Sequence, residues 1–205
     1  MSSARDQQRQ QTRQRVYECA IAVFRRDGVA ACRTDDIAKA AGVSRGAFYF
    51  HFPTKEHVLL ERMRETESQI CDAIAALPIE TPVDRVLATM NAELARIWEH
   101  DPQLLPDVCA AALRFTATTM SDQEATPLRS TLAARFTAAS ERGEIAAKLP
   151  PQLSSDLYLG NMLAGLLAWY ASPAMPLRSV LEAVTELFWN GARVEKTPAP
   201  RKVRR

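Results

Sequence analysis

Between Ser44 and Lys55 the chain carries a hydroxyl, a guanidinium, a phenol, an imidazole and an ammonium, in the run GVSRGAFYFHFPTK. These groups suit contact with nucleic acid. Ser44 can cap a helix and offer its hydroxyl to a phosphate, and the free N–H groups of that helix end add a positive dipole. Arg45, in the first exposed turn, has the planar fork that reads guanine O6 and N7, a pairing worth about 1–3 kcal/mol of discrimination. Gly46 allows the backbone close to a groove. Tyr49 and His51 can donate to phosphate oxygens and Lys55 can clamp one, with Phe50 on the same outer surface. Phe48 and Phe52 are the packing residues of the segment.

Gly42-Val43-Ser44-Arg45-Gly46 also fits G-x-S-x-G, the nucleophile elbow of hydrolases. That motif needs a strand before the serine, a parallel sheet around it and an oxyanion loop. No stretch here alternates long enough to be a strand. Of the three histidines, His51 and His57 lie too near Ser44 in sequence for the usual order of such a triad, which leaves only His100. The match is accidental on this reading, and no catalytic residue is assigned.

The elements that would hold these groups are helices. Val16, Ala20, Val23 and Phe24 share one face of a first helix over about 11–26, stopped at Asp27-Gly28. A short helix opens at Thr34, expected as its N-cap with Asp35 and Asp36 in the first turn, and ends at Gly42. Ser44 caps a very short third helix to about Phe50, and Thr54 caps a fourth reaching about Leu77. Prolines and glycines then bound five more, over about 82–100, 102–120, 126–142, 151–171 and 176–191. Two short helices joined by A-A-G-V-S fit a helix-turn-helix, whose second helix lies in the major groove.

The 205 residues are 47% hydrophobic and 24% charged, with 7 glycines and 12 prolines, which excludes disordered and collagen-like classes. The net charge of +2 is unevenly spread: +5 over 1–55, −8 over 56–191 and +5 over 192–205. A basic end on an acidic body points to a nucleic-acid partner. The tail KTPAPRKVRR is read as a basic disordered segment. The start lacks an apolar signal segment, and the most apolar stretch, about Leu157 to Ala171, is shorter than the roughly 20 residues that span a bilayer, so a cytoplasmic location without membrane partner is expected. Cys19, Cys32, Cys71 and Cys109 are scattered, with no C-x-x-C and no Cys/His cluster. Reduced thiols are expected, and no metal or cofactor is assigned.

The run TDDIAKAAGVSRGAFYFHFPTKEHVLL (Thr34 to Leu60) resembles the N-terminal DNA-binding domain of the TetR (tetracycline-repressor-like) family, over residues from Arg13 to about Leu59. The resemblance implies an all-α homodimeric repressor of about nine helices. It implies DNA contacts by Thr34, Ser44, Arg45, Gly46, Tyr49, His51 and Lys55. Many members have a second tyrosine or a tryptophan where this chain has Phe50, which leaves a sugar or thymine-methyl contact there. The arm bearing Arg5, Arg9 and Arg13 is similar to extensions that strengthen backbone contact in some members, each cation steepening the salt dependence by about 0.9 log unit.

The expected organisation is therefore an arm and DNA-binding domain over 1–55, an effector-binding and dimerisation domain over 56–191, and the tail. Twofold operators favour dimers, and the last two helices are the candidate interface, through Leu157, Leu163, Leu166, Leu167, Tyr170, Val180, Leu181, Val184, Leu187 and Phe188. Candidate walls of an effector pocket are Met90, Leu94, Trp98, Leu105, Cys109, Leu113, Phe115, Met120, Phe136, Met162 and Trp169, whose character suits a lipophilic molecule. The reading is a ligand-responsive repressor of a palindromic operator; the alternative is a redox-sensing regulator of the same fold acting through a cysteine.

Overall fold

The structure is a computed structural model that describes residues 4–119, 126–145 and 149–192, with the side chains of 115–119 and 191–192 outside the description. Among the described residues the regular elements are nine α-helices and one 3-10 turn. They are α1 (Ala4–Asp27), α2 (Thr34–Ala40), α3 (Arg45–His51), α4 (Lys55–Ala75), α5 (Val83–His100), the 3-10 turn (Pro102–Leu104), α6 (Leu105–Thr119), α7 (Pro127–Glu141), α8 (Pro151–Ala171) and α9 (Leu177–Ala192). The all-α class and the number of helices are as the sequence implies.

Three local differences have physical causes. First, α1 starts at Ala4, about seven residues before the start expected near residue 11. Ala4 to Gln10 has no apolar stripe, yet it contains neither proline nor glycine, and an established helix propagates through such residues at little cost. Second, Thr34 does not cap α2: the N-cap is Arg33, in extended conformation and without a side-chain cap bond, and Thr34 is the first helical residue. Third, Pro102 begins the 3-10 turn rather than α6 itself.

The described residues form two compact units, 4–68 with 96–119, and 69–95 with 126–145 and 149–192, so that the division falls inside α4 and α5. In the first, Val16, Ala20 and Phe24 of α1, Ile37 of α2, Phe48 of α3, Phe52 and Val58 are buried. Phe48 and Phe52 sit 6.3 Å apart, centroid to centroid, with Tyr17 next to Phe52. The aromatic packing expected for the reading helix is thus the core that fixes its tilt. Behind it, Tyr17 donates to Glu65, and Arg25 clasps Asp101 through two nitrogens.

The second unit is built on α7, α8 and α9. Phe136, Tyr158 and Phe188 form an aromatic cluster with centroids 5.2–6.2 Å apart. A polar network is buried beside it: Asn91 Nδ2 donates to Thr185 Oγ1 (2.8 Å) and to the Leu181 carbonyl (3.3 Å), and Tyr158 donates to Asn91 Oδ1 (3.3 Å). Burial pushes the Tyr158 phenol up to about 12, so it stays a donor. Arg135, 7% exposed, donates to the carbonyls of Ile74, Leu77 and Pro78, which places its charge at the negative end of α4. At Gly165 the backbone of α8 comes close to α9, where an added Cβ would lie 3.0 Å from Val184 Cγ2.

Candidate nucleic-acid interface

The turn between α2 and α3 is locally determined. Gly42 takes φ +64°, which L side chains rarely adopt. It closes α2 with two bonds, Gly42 N–H to Lys39 O (3.2 Å) and Val43 N–H to Ala38 O (3.0 Å), the pairing of a Schellman motif. Ser44, extended at φ −72° and ψ 157°, then caps α3 by accepting from the Ala47 N–H at 3.1 Å. The predicted cap is therefore present. This hydroxyl also answers the elbow motif: the segment before it is the helix α2 and a turn, not a strand.

The outer face of α3 is open. Tyr49 is 40% and Phe50 64% exposed, Arg45 and Gly46 are exposed, and His51 is half-buried. Arg45 Nε lies 3.4 Å from Asp35 Oδ1, both largely solvated, and its guanidinium lies over the Tyr49 ring, 5.7 Å from the centroid. The Tyr49 hydroxyl meets that of Thr34 at 3.1 Å. Thr34 and Arg45 together draw the Tyr49 phenol below its ordinary range, so its oxygen is the more polarised. Thr34, Asp35, Arg45 and Tyr49 thus form one surface cluster spanning both helices.

The early part of α1 meets the other end of α3. Arg9 lies over the Phe50 ring (4.9 Å), and Arg13 lies over Phe52 (4.3 Å) while donating to the His51 carbonyl and to Glu61. Burial, then Arg13 and Arg9, push His51 below its ordinary value, so at neutral pH it acts as a neutral hydrogen-bonding ring. Lys55 is half-buried and its ammonium donates to Val29 O (2.7 Å) and Cys32 O (2.9 Å). Two of its three N–H groups therefore close the loop before α2. The sequence reading missed this tie, and also Asp35 as the partner of Arg45. Neither has a local signature beyond charge.

The other candidates divide between the units. Trp98, Leu105 and Cys109 are buried in the first, where Leu113 is 53% exposed. Met90, Leu94, Phe136 and Met162 are buried in the second, and Trp169 is half-buried with its indole N–H on Met175 O (3.0 Å). The side chain of Phe115, all of Met120 and residues 193–205 lie outside the described residues. Of the candidate interface residues, Leu166 and Leu181 are buried within the chain, whereas Leu157, Tyr170 and Leu187 are 45%, 42% and 76% exposed. Leu163, Leu167, Val180, Val184 and Phe188 are half-buried. No helix among the described residues is long and apolar enough to cross a membrane.

Comparison with known proteins agrees with this architecture. Residues 16–61 match the family model for bacterial regulatory proteins of the tetR family. The HTH-type transcriptional regulator AcrR of Shigella flexneri is 40% identical over 70 residues, 34% of this chain and 33% of AcrR. TtgR of Pseudomonas putida, a regulator of the same type, is 39% identical over 115 residues, 49% of this chain and 55% of TtgR. The matches thus span about a third to a half of these relatives. Over nearly the whole chain, the fold is that of Thermus thermophilus FadR, a TetR-family transcriptional repressor solved with lauroyl-CoA: 26% identity, TM-score 0.74, covering 92% of this chain and 98% of FadR. The segment that carries the capped helix thus matches the tetR family of bacterial regulatory proteins over residues 16–61, and the fold of nearly the whole chain is similar to that of a TetR-family repressor.

Proposed function

We propose that the protein is a transcriptional repressor that binds a palindromic operator as a homodimer and lets it go when a small lipophilic effector binds its helical body. The observation that carries this reading is the exposed face of α3. Arg45, Tyr49 and Phe50 are presented outward from a helix whose inner face is fixed by Phe48 and Phe52. Arg45 would read guanine; Ser44, Gly46 and Tyr49 with neutral His51 would hold phosphates; Thr34 would orient Tyr49; Phe50 would touch sugar or thymine methyl. Lys55 would offer its remaining N–H.

Twofold operators need two reading heads. The exposed apolar side chains Leu157 and Tyr170 on α8 and Leu187 on α9 support a four-helix interface between two copies. The effector would act by preferring the conformation that does not fit the operator, since a ligand shifts an equilibrium only by its differential affinity. The lauroyl-CoA held by FadR, with its twelve-carbon acyl chain, supports a ligand with a lipophilic part. A cysteine sensor is disfavoured for two thiols: burial raises Cys109 to about 12 and Cys32 above its ordinary value, so neither is a ready thiolate.

The test is selection of genomic fragments by the purified protein at near-physiological salt. Recovery of a few sites sharing a palindrome, lost on Arg45→Ala, is expected. Uniform and strongly salt-sensitive recovery would sink the operator reading.

A further inference from the structure

Arg62, on α4, is a largely buried charge whose donors are incompletely used. It is 13% exposed, and its Nε is buried without a hydrogen-bond partner. Its two acidic neighbours stand off: Nη1 is 3.7 Å from Glu65 Oε2 and Nη2 3.7 Å from Asp101 Oδ2. Both are beyond the length of a charge-assisted hydrogen bond. Both acids have stronger partners, since Arg25 clasps Asp101 with two nitrogens and the Tyr17 hydroxyl donates to Glu65. What Arg62 does have is an aromatic neighbour, the Trp98 ring, whose centroid is 5.3 Å from its Cζ.

A guanidinium drawn out of water normally fills its donor fork, because an unmade bond to a buried charged group is costly. A guanidinium with an unpartnered Nε and two long ion pairs, set beside an indole, fits a planar, singly charged acceptor with an apolar body. A carboxylate matches the fork in two bonds. A dianionic phosphate fits less well, because two carboxylates already flank the arginine. Trp98, like Leu104, Leu105, Val108 and Cys109 of the same unit, is buried, so the arginine's aromatic neighbour belongs to an apolar core.

We propose that Arg62 anchors the carboxylate of a small, largely apolar acid beside Trp98. This rests on the effector-responsive reading above and names the effector's chemical class. Calorimetry on the full-length protein would titrate octanoate, dodecanoate and 2-naphthoate, each against its methyl ester. At least one acid is expected to bind about tenfold or more tighter than its ester. Arg62→Met should erase that preference, and Arg62→Lys should keep part of it. Because Arg62 makes little use of its donors in the chain, Arg62→Met should unfold no earlier than wild type. Acids that never exceed their esters overturn the proposal without any variant. So does an Arg62→Met protein that keeps the preference. A variant that melts early and is restored by Lys without any acid preference assigns Arg62 a structural role instead. Operator release is read separately by anisotropy. Acid binding without release leaves this site standing and sinks the effector reading, whereas release by neutral ligands alone does the reverse.

Discussion

The hydroxyl of Thr34, at the start of α2, lies 3.1 Å from that of Tyr49 in α3, so the two helices of the motif are tied across their outer face. The bond sets where the phenol points. Tyr49→Phe is therefore expected to weaken operator binding by about tenfold, the loss of one hydrogen bond to a charged group. Its effect on stability should stay within about 0.5 kcal/mol, because the ring is exposed. Thr34→Val should weaken binding less, and add nothing once Tyr49 is Phe. Fluorescence anisotropy with the selected operator measures both. An additive double variant would show that Thr34 reaches DNA by itself.

Glu144 gives stability a sign with pH. Its carboxylate accepts from Arg142 Nε (2.6 Å) and from the Val83 N–H (2.9 Å), and these bonds, Arg142 first, hold it below the ordinary carboxylate value of 4.5. A folded-state value below the unfolded one means the stabilisation is complete above the unfolded value and fades as pH falls through the folded one. Glu144→Gln should thus be less stable than wild type at pH about 6 and approach it below pH about 4. Urea midpoints across that range test this. A gap that stays constant with pH would mean that the carboxylate's charge is not the cause.

How much of this was legible in the sequence depends on how local each determinant is. Gly42, Ser44 and Pro151 act within a few residues, and the turn, the cap and the start of α8 were all readable from them. The apolar stripe of α1 marked its buried face but not its first turns, since Ala4 to Gln10 carries no stripe to read. Thr34 was placed one position too far out because a threonine before Asp-Asp looks like a cap. It lies inside the helix and serves Tyr49. The ties of Lys55 to Val29 and Cys32, and of Arg25 to Asp101, join residues far apart in the chain. Charge type alone does not choose among so many partners.

Thiol chemistry should sort by burial. Cys32 and Cys109 are 4% and 2% exposed and burial raises both thiols, while Cys19 and Cys71 are half-buried. Iodoacetamide at pH about 7.5 should therefore modify Cys19 and Cys71 first, with Cys32 and Cys109 reacting only in denaturant. Peptide mass mapping over time reads the order. Loss of operator binding under mild peroxide, with Cys109 oxidised, would revive the redox alternative.

The close approach of α8 and α9 at Gly165 sets two effects against each other. Alanine in a helix interior is favoured over glycine by about 1 kcal/mol. Here its methyl group would sit 3.0 Å from Val184 Cγ2, with Leu181 Cδ2 at 3.8 Å, and overpacking costs about 1–3 kcal/mol. Gly165→Ala alone should thus be near neutral or destabilising by up to about 2 kcal/mol, the difference of those two ranges. Removing the opposing methyl groups frees the propensity gain, so in a Val184→Ala background Gly165→Ala should stabilise by about 1 kcal/mol. The coupling in this double-mutant cycle, measured by urea unfolding, is the check. A zero coupling energy would mean that the helices separate to admit the methyl group, and that Gly165 is not what sets their distance.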